Sequence, residues 1–591
     1  LQSLNMKNTS TLFVVSCVSL GLFFGCKKFD GPNAVTANPN PLEVHGDSIE
    51  FTAKVKIEPK SGMKKKGTFV AEPAIKNGAD NFKIDNIVVK GEQYPEIKKQ
   101  GAELSKKYKV AYNAKMNGGT LRSENFYQKK ATKSKAEVTD TENVAKCCIT
   151  TSQLIWETDQ MLLAAKERNE YRKVVPLRLE AKFNFPKNID KIQDDQYNKS
   201  DITAIGEFIT KRLPATKITI VGFASPEGAL KRNIELSVNR SKVVQNWLMD
   251  QLKNAGYTEY LDSTFFSIST TSEDWDGFKQ SVRNSPQFSE YSSQIFEIVS
   301  SGISEDEKET KIMALVGGAR SPEVEALLSP LRRATIVMEG QEPRRTDAQI
   351  DSIGLAFVSG RISGNIKDIY EKEEWMYAIS RMDRWSDKKA HLSAFVQAYP
   401  SDYRGLNDLA AIQISEGNLT EGMKNIEAAS NSKRGDNMIS NNMGVAQRKS
   451  GKKADARRSF ESSLSAQNTP EAAFNLGLVQ TQMGMYAQAS DRFNASKSLK
   501  GAEYNLGLCK LMTDDKSGAR AALQASAKEY PDYHQGFYLL AVAGVRSNDK
   551  DIWTLNLKKA VDSNKRFGTM AQSDLEFDKV RDTPEFKAIV K

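Results

Sequence analysis

Apolar residues along this chain change their period several times, and each change marks an element. Phe51, Ala53, Val55 and Ile57 alternate with Thr52, Lys54 and Lys56, the period of a half-buried strand. Shorter β-like runs follow near 67–71, 85–90 and 108–113, separated by Gly, Asn and Lys. They predict a β-rich, sandwich-like module over about 41–170. A second alternation, Lys217, Thr219 and Val221 against Ile218 and Ile220, predicts another strand. Gly222, Pro226 and Gly228 then punctuate a turn. Leu236, Val243, Val244, Trp247 and Leu248 follow at helical spacing, and Asn254-Ala255-Gly256 reads as the helix stop.

The last third of the chain repeats itself. Gly444, Ala456, Phe460 and Ser463 are spaced by 12, 4 and 3 residues. Gly477, Ala489, Phe493 and Ser496 keep that spacing, as do Gly507, Ala519, Leu523 and Ser526. A unit before them fits with Ala410, Gly422, Ile426 and Ala429, and one after with Ala541, Trp553, Leu557 and Ala560. The five units start 34, 33, 30 and 34 residues apart. Trp375 and Tyr377 suggest a helical pair ahead of the array, and Phe577 and Phe586 a capping helix behind it. The pattern resembles the tetratricopeptide repeat, in which small residues let paired helices approach and a larger one fills the gap. This implies an all-α solenoid over 391–591 with a concave protein- or peptide-binding groove. Asn442, Asn475 and Asn505 recur near the start of three units. The resemblance makes them candidates for lining that groove and holding a peptide backbone. A plain spacer is the alternative reading of the array.

Loop amides ahead of a helix favour an anion, and Arg240 adds a fork that matches a carboxylate. Taken alone, these residues equally fit an ordinary strand-turn-helix with a solvated Arg. The stretch resembles the signature of OmpA-like domains, a G-Y/F-x-D-x-x-G loop followed by N-x-x-L-S-x-x-R-A. Gly222-Phe223 opens the loop and Gly228 closes it; Asn233, Leu236, Ser237 and Arg240 fall on matching positions. Residues 331–339 look like the family's closing strand, entered through Arg332-Arg333, and 177–185 like its first. The resemblance covers 171–340 and implies an α+β domain that contacts peptidoglycan. Ser225, Glu227, Asn233, Ser237 and Arg240 are its candidate ligands. Ser225 stands where the family has the Asp that holds the diaminopimelate amine, and Glu227 is the candidate substitute for that charge. Residues 257–330 read as an insertion, with Glu273-Asp274-Trp275 in a solvated loop and Gly317-Gly318 in a turn.

Near the start, Met6-Lys7 and the apolar run Leu12–Phe24 read as a secretory signal too short to span a bilayer. Gly25-Cys26 resembles a bacterial lipoprotein cleavage site, so Cys26 is the expected lipidated residue. Residues 1–25 are then signal with a few upstream residues, 26–40 lipidated Cys and tether, and 341–390 a helical connector. Lys27 after the Cys favours the outer membrane, with the bulk facing the periplasm.

Composition narrows the function classes. The chain has 591 residues, with 84 basic and 74 acidic side chains, a net +10 too modest to point to nucleic acid. Lys64-Lys65-Lys66 and Lys129-Lys130 lack aromatic neighbours and read as solvated loops. Five Cys offer no disulfide framework, since Cys147 and Cys148 are adjacent and such neighbours seldom pair. His45, His391 and His534 show no ligand or triad spacing, so no metal, cofactor or catalytic set is expected. The expectation is a non-catalytic outer-membrane lipoprotein of a Bacteroidota-like bacterium. It tethers to peptidoglycan and scaffolds secretion or outer-membrane assembly proteins. The alternatives are a pure protein scaffold without peptidoglycan binding and an envelope hydrolase with its site in 257–330.

Overall fold

The computed structural model describes residues 29, 34–129, 137–193, 199–210, 215–318, 321–342, 344–362 and 365–591. The expected signal segment and Cys26 lie outside these residues. Two compact units form: the chain up to Arg168 together with Asp383–Lys591, and Asn169–Met382. Among the described residues no helix is long and apolar enough to cross a membrane.

The first unit begins with nine strands: β1 Ala34–Asn38, β2 Val44–His45, β3 Ser48–Ile57, β4 Thr68–Asn77, β5 Asp80–Lys83, β6 Ile87–Lys90, β7 Ala102–Ala111, β8 Thr120–Gln128 and β9 Glu137–Lys146. One antiparallel sheet centres on β3, paired with β1, β2 and β7. The other runs from β5 and β6 through β4 and β8 to β9. Val55, Phe69, Ile75 and Leu121 belong to the single core the two sheets share.

Three expectations change here. The tether expected over 26–40 contains β1, because Val35 is buried when its strand pairs with β3. The β module ends at Lys146 rather than at 170, and residues 154–165 lie against the helical array instead. Cys147 and Cys148, expected to be unpaired, are joined by a disulfide, both buried where β9 leaves its sheet.

The rest of this unit is helical. After helix Trp385–Ala398 come five hairpins: Tyr403–Ser415 with Leu419–Ser432, Asn437–Lys449 with Lys453–Ala466, Pro470–Gln482 with Tyr486–Ala495, Ala502–Met512 with Lys516–Glu529, and Gln535–Arg546 with Lys550–Ser563. They coincide with the five units read from the sequence. The recurring glycine is the contact point of each central hairpin. A Cβ at Gly444 would stand 2.6 Å from the Phe460 ring, and one at Gly477 2.9 Å from Phe493. The partner helices approach that closely only because no side chain intervenes. Phe567, Phe577 and Phe586 bury the last hairpin's open face.

The second unit is built on four strands: β10 Val175–Asn184, β11 Ala215–Phe223, β12 Phe266–Thr271 and β13 Arg333–Glu342. Their order is β10-β13-β11-β12, with β13 antiparallel to both neighbours and β12 parallel to β11. Helices Lys199–Thr210 and Leu230–Asn254 share a core with Phe183, Ile218, Ile220, Ile336 and Met338. β12 falls inside the stretch expected as an insertion. It is the sheet's edge, largely exposed, so its sequence FSISTT carries no inward alternation to reveal it.

The remainder of 257–330 forms helices Trp275–Arg283, Ser292–Ser300, Glu305–Val316 and Pro322–Leu328 around their own core. The expected solvated loop at 273–276 is instead a helix start: Asp274 accepts from Gly277 N at 2.9 Å and is buried, as is Trp275. Gly317 ends helix Glu305–Val316 in the left-handed region, as the turn reading implied. In the connector, helices Asp347–Val358 and Lys372–Arg381 close the unit over a fully buried Trp375.

The glycine contacts give a stability test. Gly444→Val places three carbons where the Phe460 ring stands. Overpacking of this kind costs about 1–3 kcal/mol, so the variant should show a lower denaturant midpoint, with Ser462→Ala on the exposed face of the same hairpin as the neutral control.

Candidate functional site

Among the described residues, each unit holds a site where polar side chains gather away from water. In the second unit, β11 runs into the loop 224–229 and then into the long helix Leu230–Asn254. Gly222 permits that path, because a Cβ there would meet the Ser237 carbonyl at 2.0 Å. The loop, helix and the start of β13 enclose a cavity of about 320 Å3, lined by Lys187, Ser225, Glu227, Arg240, Glu309 and Arg332 among others.

Arg240, proposed from sequence as the carboxylate fork, is only 1% exposed. Its guanidinium donates to three backbone carbonyls: Nη1 to Phe223 at 2.9 Å, Nε to Ile189 at 3.1 Å and Nη2 to Pro186 at 3.4 Å. It also lies 5.2 Å from the Phe185 ring centre. Burial, with the nearby Arg332 charge, lowers its pKa to about 10. Arg240 therefore ties the two loops that form the cavity wall, and its remaining N–H groups are what it offers a ligand.

Glu227 is buried and doubly paired, to Arg332 at 2.6 Å and to Lys187 at 2.8 Å. Ser225 Oγ donates to Glu227 Oε1 at 3.0 Å and accepts from Arg332 Nε at 3.3 Å. The hydroxyl thus joins a carboxylate to a guanidinium. Arg332 also holds Glu325, Nη2 to Oε2 at 2.7 Å, and that bond keeps the Glu325 carboxyl below its ordinary pKa. Asn233 lines the cavity, donating to the Glu227 carbonyl and to Glu273 Oε1, both at 3.2 Å. Ser237 does not join the group: its hydroxyl turns back to the Ile234 carbonyl at 3.0 Å. Glu309 accepts from Gly228 N at 2.7 Å, and burial raises its pKa, as it does for Glu273. The sequence reading missed Arg332, Lys187 and Glu309 as lining residues. Arg332 was visible only as the first of the Arg pair entering β13.

In the first unit the asparagines do meet a peptide, and it is this chain's own. Residues 154–163 run without helix or strand along the first helices of the hairpins, against the order of the repeats, and lead into the short helix Ala164–Arg168. Trp156 N donates to Asn505 Oδ1 and Asn505 Nδ2 returns to the Trp156 carbonyl, both at 2.9 Å. Gln160 does the same with Asn475, at 3.0 and 2.7 Å, and Leu162 with Asn442, at 3.0 and 2.8 Å. Asp408 ends the row, accepting from Ala164 N at 2.6 Å and Ala165 N at 2.8 Å. Asn441 and Asn407 add bonds to the Gln160 and Leu162 carbonyls.

Side chains fix the register. The Trp156 ring stacks on Tyr533 at 3.6 Å and meets Tyr504 and Tyr530 edge-on. Buried Arg448 pairs with Glu157 and Asp159. Asp408, Asn442, Asn475 and Asn505 each precede the unit's small residue by two positions, so the repeat register already held Asp408. Which peptide fills the groove was not legible, because it comes from more than 240 residues away in sequence. Among the described residues no group of three His, Cys, Asp or Glu is placed to hold a metal ion.

Comparison with known proteins agrees on the repeats. The tetratricopeptide-repeat family model matches residues 502–533. No curated protein matches the chain. Among solved structures it is similar to YrrB, described as a TPR protein with an unusual peptide-binding site, at 16% identity and a TM-score of 0.29, covering 32% of this chain and 98% of that one. A tetratricopeptide repeat protein from Parabacteroides merdae gives 13% and 0.28, covering 41% and 96%. PilF of Pseudomonas aeruginosa gives 15% and 0.28, covering 41% and 95%. The five hairpins and the family-model match make the C-terminal region an all-helical, TPR-like solenoid.

Asp408 carries a pH signature. Burial, partly offset by the Ala165 and Ala164 amides and Asn407, raises its pKa from 3.8 to about 6. A carboxyl raised on folding adds stability below its unfolded pKa and loses it as pH rises through the folded value. The melting temperature of wild type relative to Asp408→Asn should therefore fall between about pH 4 and pH 6 and level off above. A difference that stays flat across that range refutes the assignment.

Proposed function

We propose that the chain is a non-catalytic scaffold of the bacterial envelope, with protein contacts through the repeat array and a cell-wall contact through the second unit. The observation that carries the cell-wall half is the cavity beside Arg240. Lys187, Arg240 and Arg332 face Glu227 and Glu309 around one opening. Mixed charge of this kind suits a zwitterionic head such as the diaminopimelate of a peptidoglycan stem. The residues read as first and closing strands of an OmpA-like domain pair with each other, β10 along β13, which supports that reading. An acyl anchor at Cys26 would hold the protein to the outer membrane with both units in the periplasm.

A second reading, a pure protein scaffold, is favoured by the bonds Arg240 already makes and by Ser225 in place of an acid. Cosedimentation with purified peptidoglycan separates the two. Under the first, the soluble chain 27–591 pellets. Arg240→Ala, which melts earlier because three carbonyls lose their donor, and Glu309→Gln, which keeps the wild-type melting transition, each weaken binding at least tenfold; the Gln preserves an acceptor for Gly228 N. Wild type remaining in the supernatant, or pelleting indifferent to both changes, leaves the pure scaffold.

A further inference from the structure

The backbone bonds that hold residues 156–162 in the groove are ones a foreign peptide would make equally well. Asn407, Asn441, Asn442, Asn475 and Asn505 reach the segment through its backbone amides and carbonyls, which every peptide carries. Register comes from an aromatic site, a basic site and the apolar seat of Leu162 on Met438. Tyr504, Tyr530 and Tyr533 take Trp156, with Lys500 Nζ 5.6 Å from its ring centre. Arg448, nearly sequestered from water, takes the carboxylates of Glu157 and Asp159, and Lys449 adds 3.0 Å to Asp159. Residues 154–163 make no strand or helix of their own, so their release breaks no sheet.

We propose that the repeat groove is a peptide-binding site closed in cis by residues 154–165. By exchange with this segment it accepts an extended peptide from a partner protein. The peptide it fits carries a tryptophan followed at one and three residues by acids. This rests on the scaffold reading and names the partner's chemistry. The tether explains how the closed state persists. A segment joined to its site by a short linker acts at roughly millimolar effective concentration. A free peptide of equal intrinsic affinity is therefore excluded unless the strap is weakened or the partner grips harder. The groove is a gated site, opened by loss of the Trp156 contact or by a competitor that matches it.

The test uses the chain from residue 27 on and a fluorescein-labelled peptide with the sequence of residues 152–167. Trp156→Ala removes the aromatic anchor from the strap and leaves the groove's side chains intact. The variant should bind the peptide at least tenfold more tightly than wild type by fluorescence anisotropy. Adding Asn475→Ala and Asn505→Ala should abolish that gain, and so should a peptide with lysine at the positions of Glu157 and Asp159. Gln160→Pro, which deletes one N–H donor to Asn475, serves as a second weakened strap should Trp156→Ala unfold. A folded weakened variant that binds no better than wild type overturns the proposal, as does binding indifferent to Asn475 and Asn505. No partner protein enters this measurement. Failure to capture an envelope protein with the opened groove counts against the scaffold reading and leaves the exchange result standing.

Discussion

A buried amide must find a partner, and the repeat array carries a row of them. Asn407, Asn441, Asn442, Asn475 and Asn505 are all removed from water, in helices whose backbone groups already bond to one another. An unsatisfied buried polar group costs about 1–3 kcal/mol. With the strap in place water is excluded from the row, so its amides need donors and acceptors at matching intervals. An extended peptide supplies them, presenting N–H and C=O together at residues that face one way. The strap 154–165 is the complement that the buried asparagines require.

That requirement organises the whole first unit. With residues 154–165 fixed in the groove, the β sheets just upstream are brought against the turns of the hairpins. Gly46 N donates to Tyr486 Oη at 3.1 Å, and Lys453 meets Asp47 at 2.6 Å. Lys146 meets Asp578 at 2.8 Å, and Arg546 bridges Glu43 and Glu576. Exposed ion pairs contribute little singly, but the Arg546 side chain is only 18% exposed, and burial raises the pKa of the buried Glu576. Removing either partner would strand a charge, so the contact specifies how sheet and array meet more than it stabilises them.

Legibility in the sequence followed the range of the interaction. The repeats were readable because each is a local solution, a small residue against a larger apolar one 16 residues on, repeated five times. β3 and β11 were readable because one face of each is apolar. β8 was not, since Ser123 and Asn125 point inward and break the alternation, and β12 was not, since an exposed edge has no inward face. The asparagines were found through their recurrence and their occupant was not, because nothing in 154–165 is periodic. In the second unit the residue types around the cavity were legible, but their pairings were not. Arg332 lies over 100 residues from Ser225 and Glu227, and only the fold brings it to them.

Those pairings bear on what a serine at 225 does. A carboxylate there would face Glu227, and two buried acids at hydrogen-bond distance repel. With a hydroxyl at 225, Glu227 becomes the cavity's own acid, balanced by Arg332 behind it and Lys187 in front. The two cations differ in mobility: Arg332 is buried and also tied to Glu325, whereas the Lys187 side chain is half-exposed. Lys187 therefore stands where a ligand ammonium would have to compete for Glu227. The same logic runs through both units: each polar site is completed by the chain itself, so a ligand at either would have to replace an internal partner.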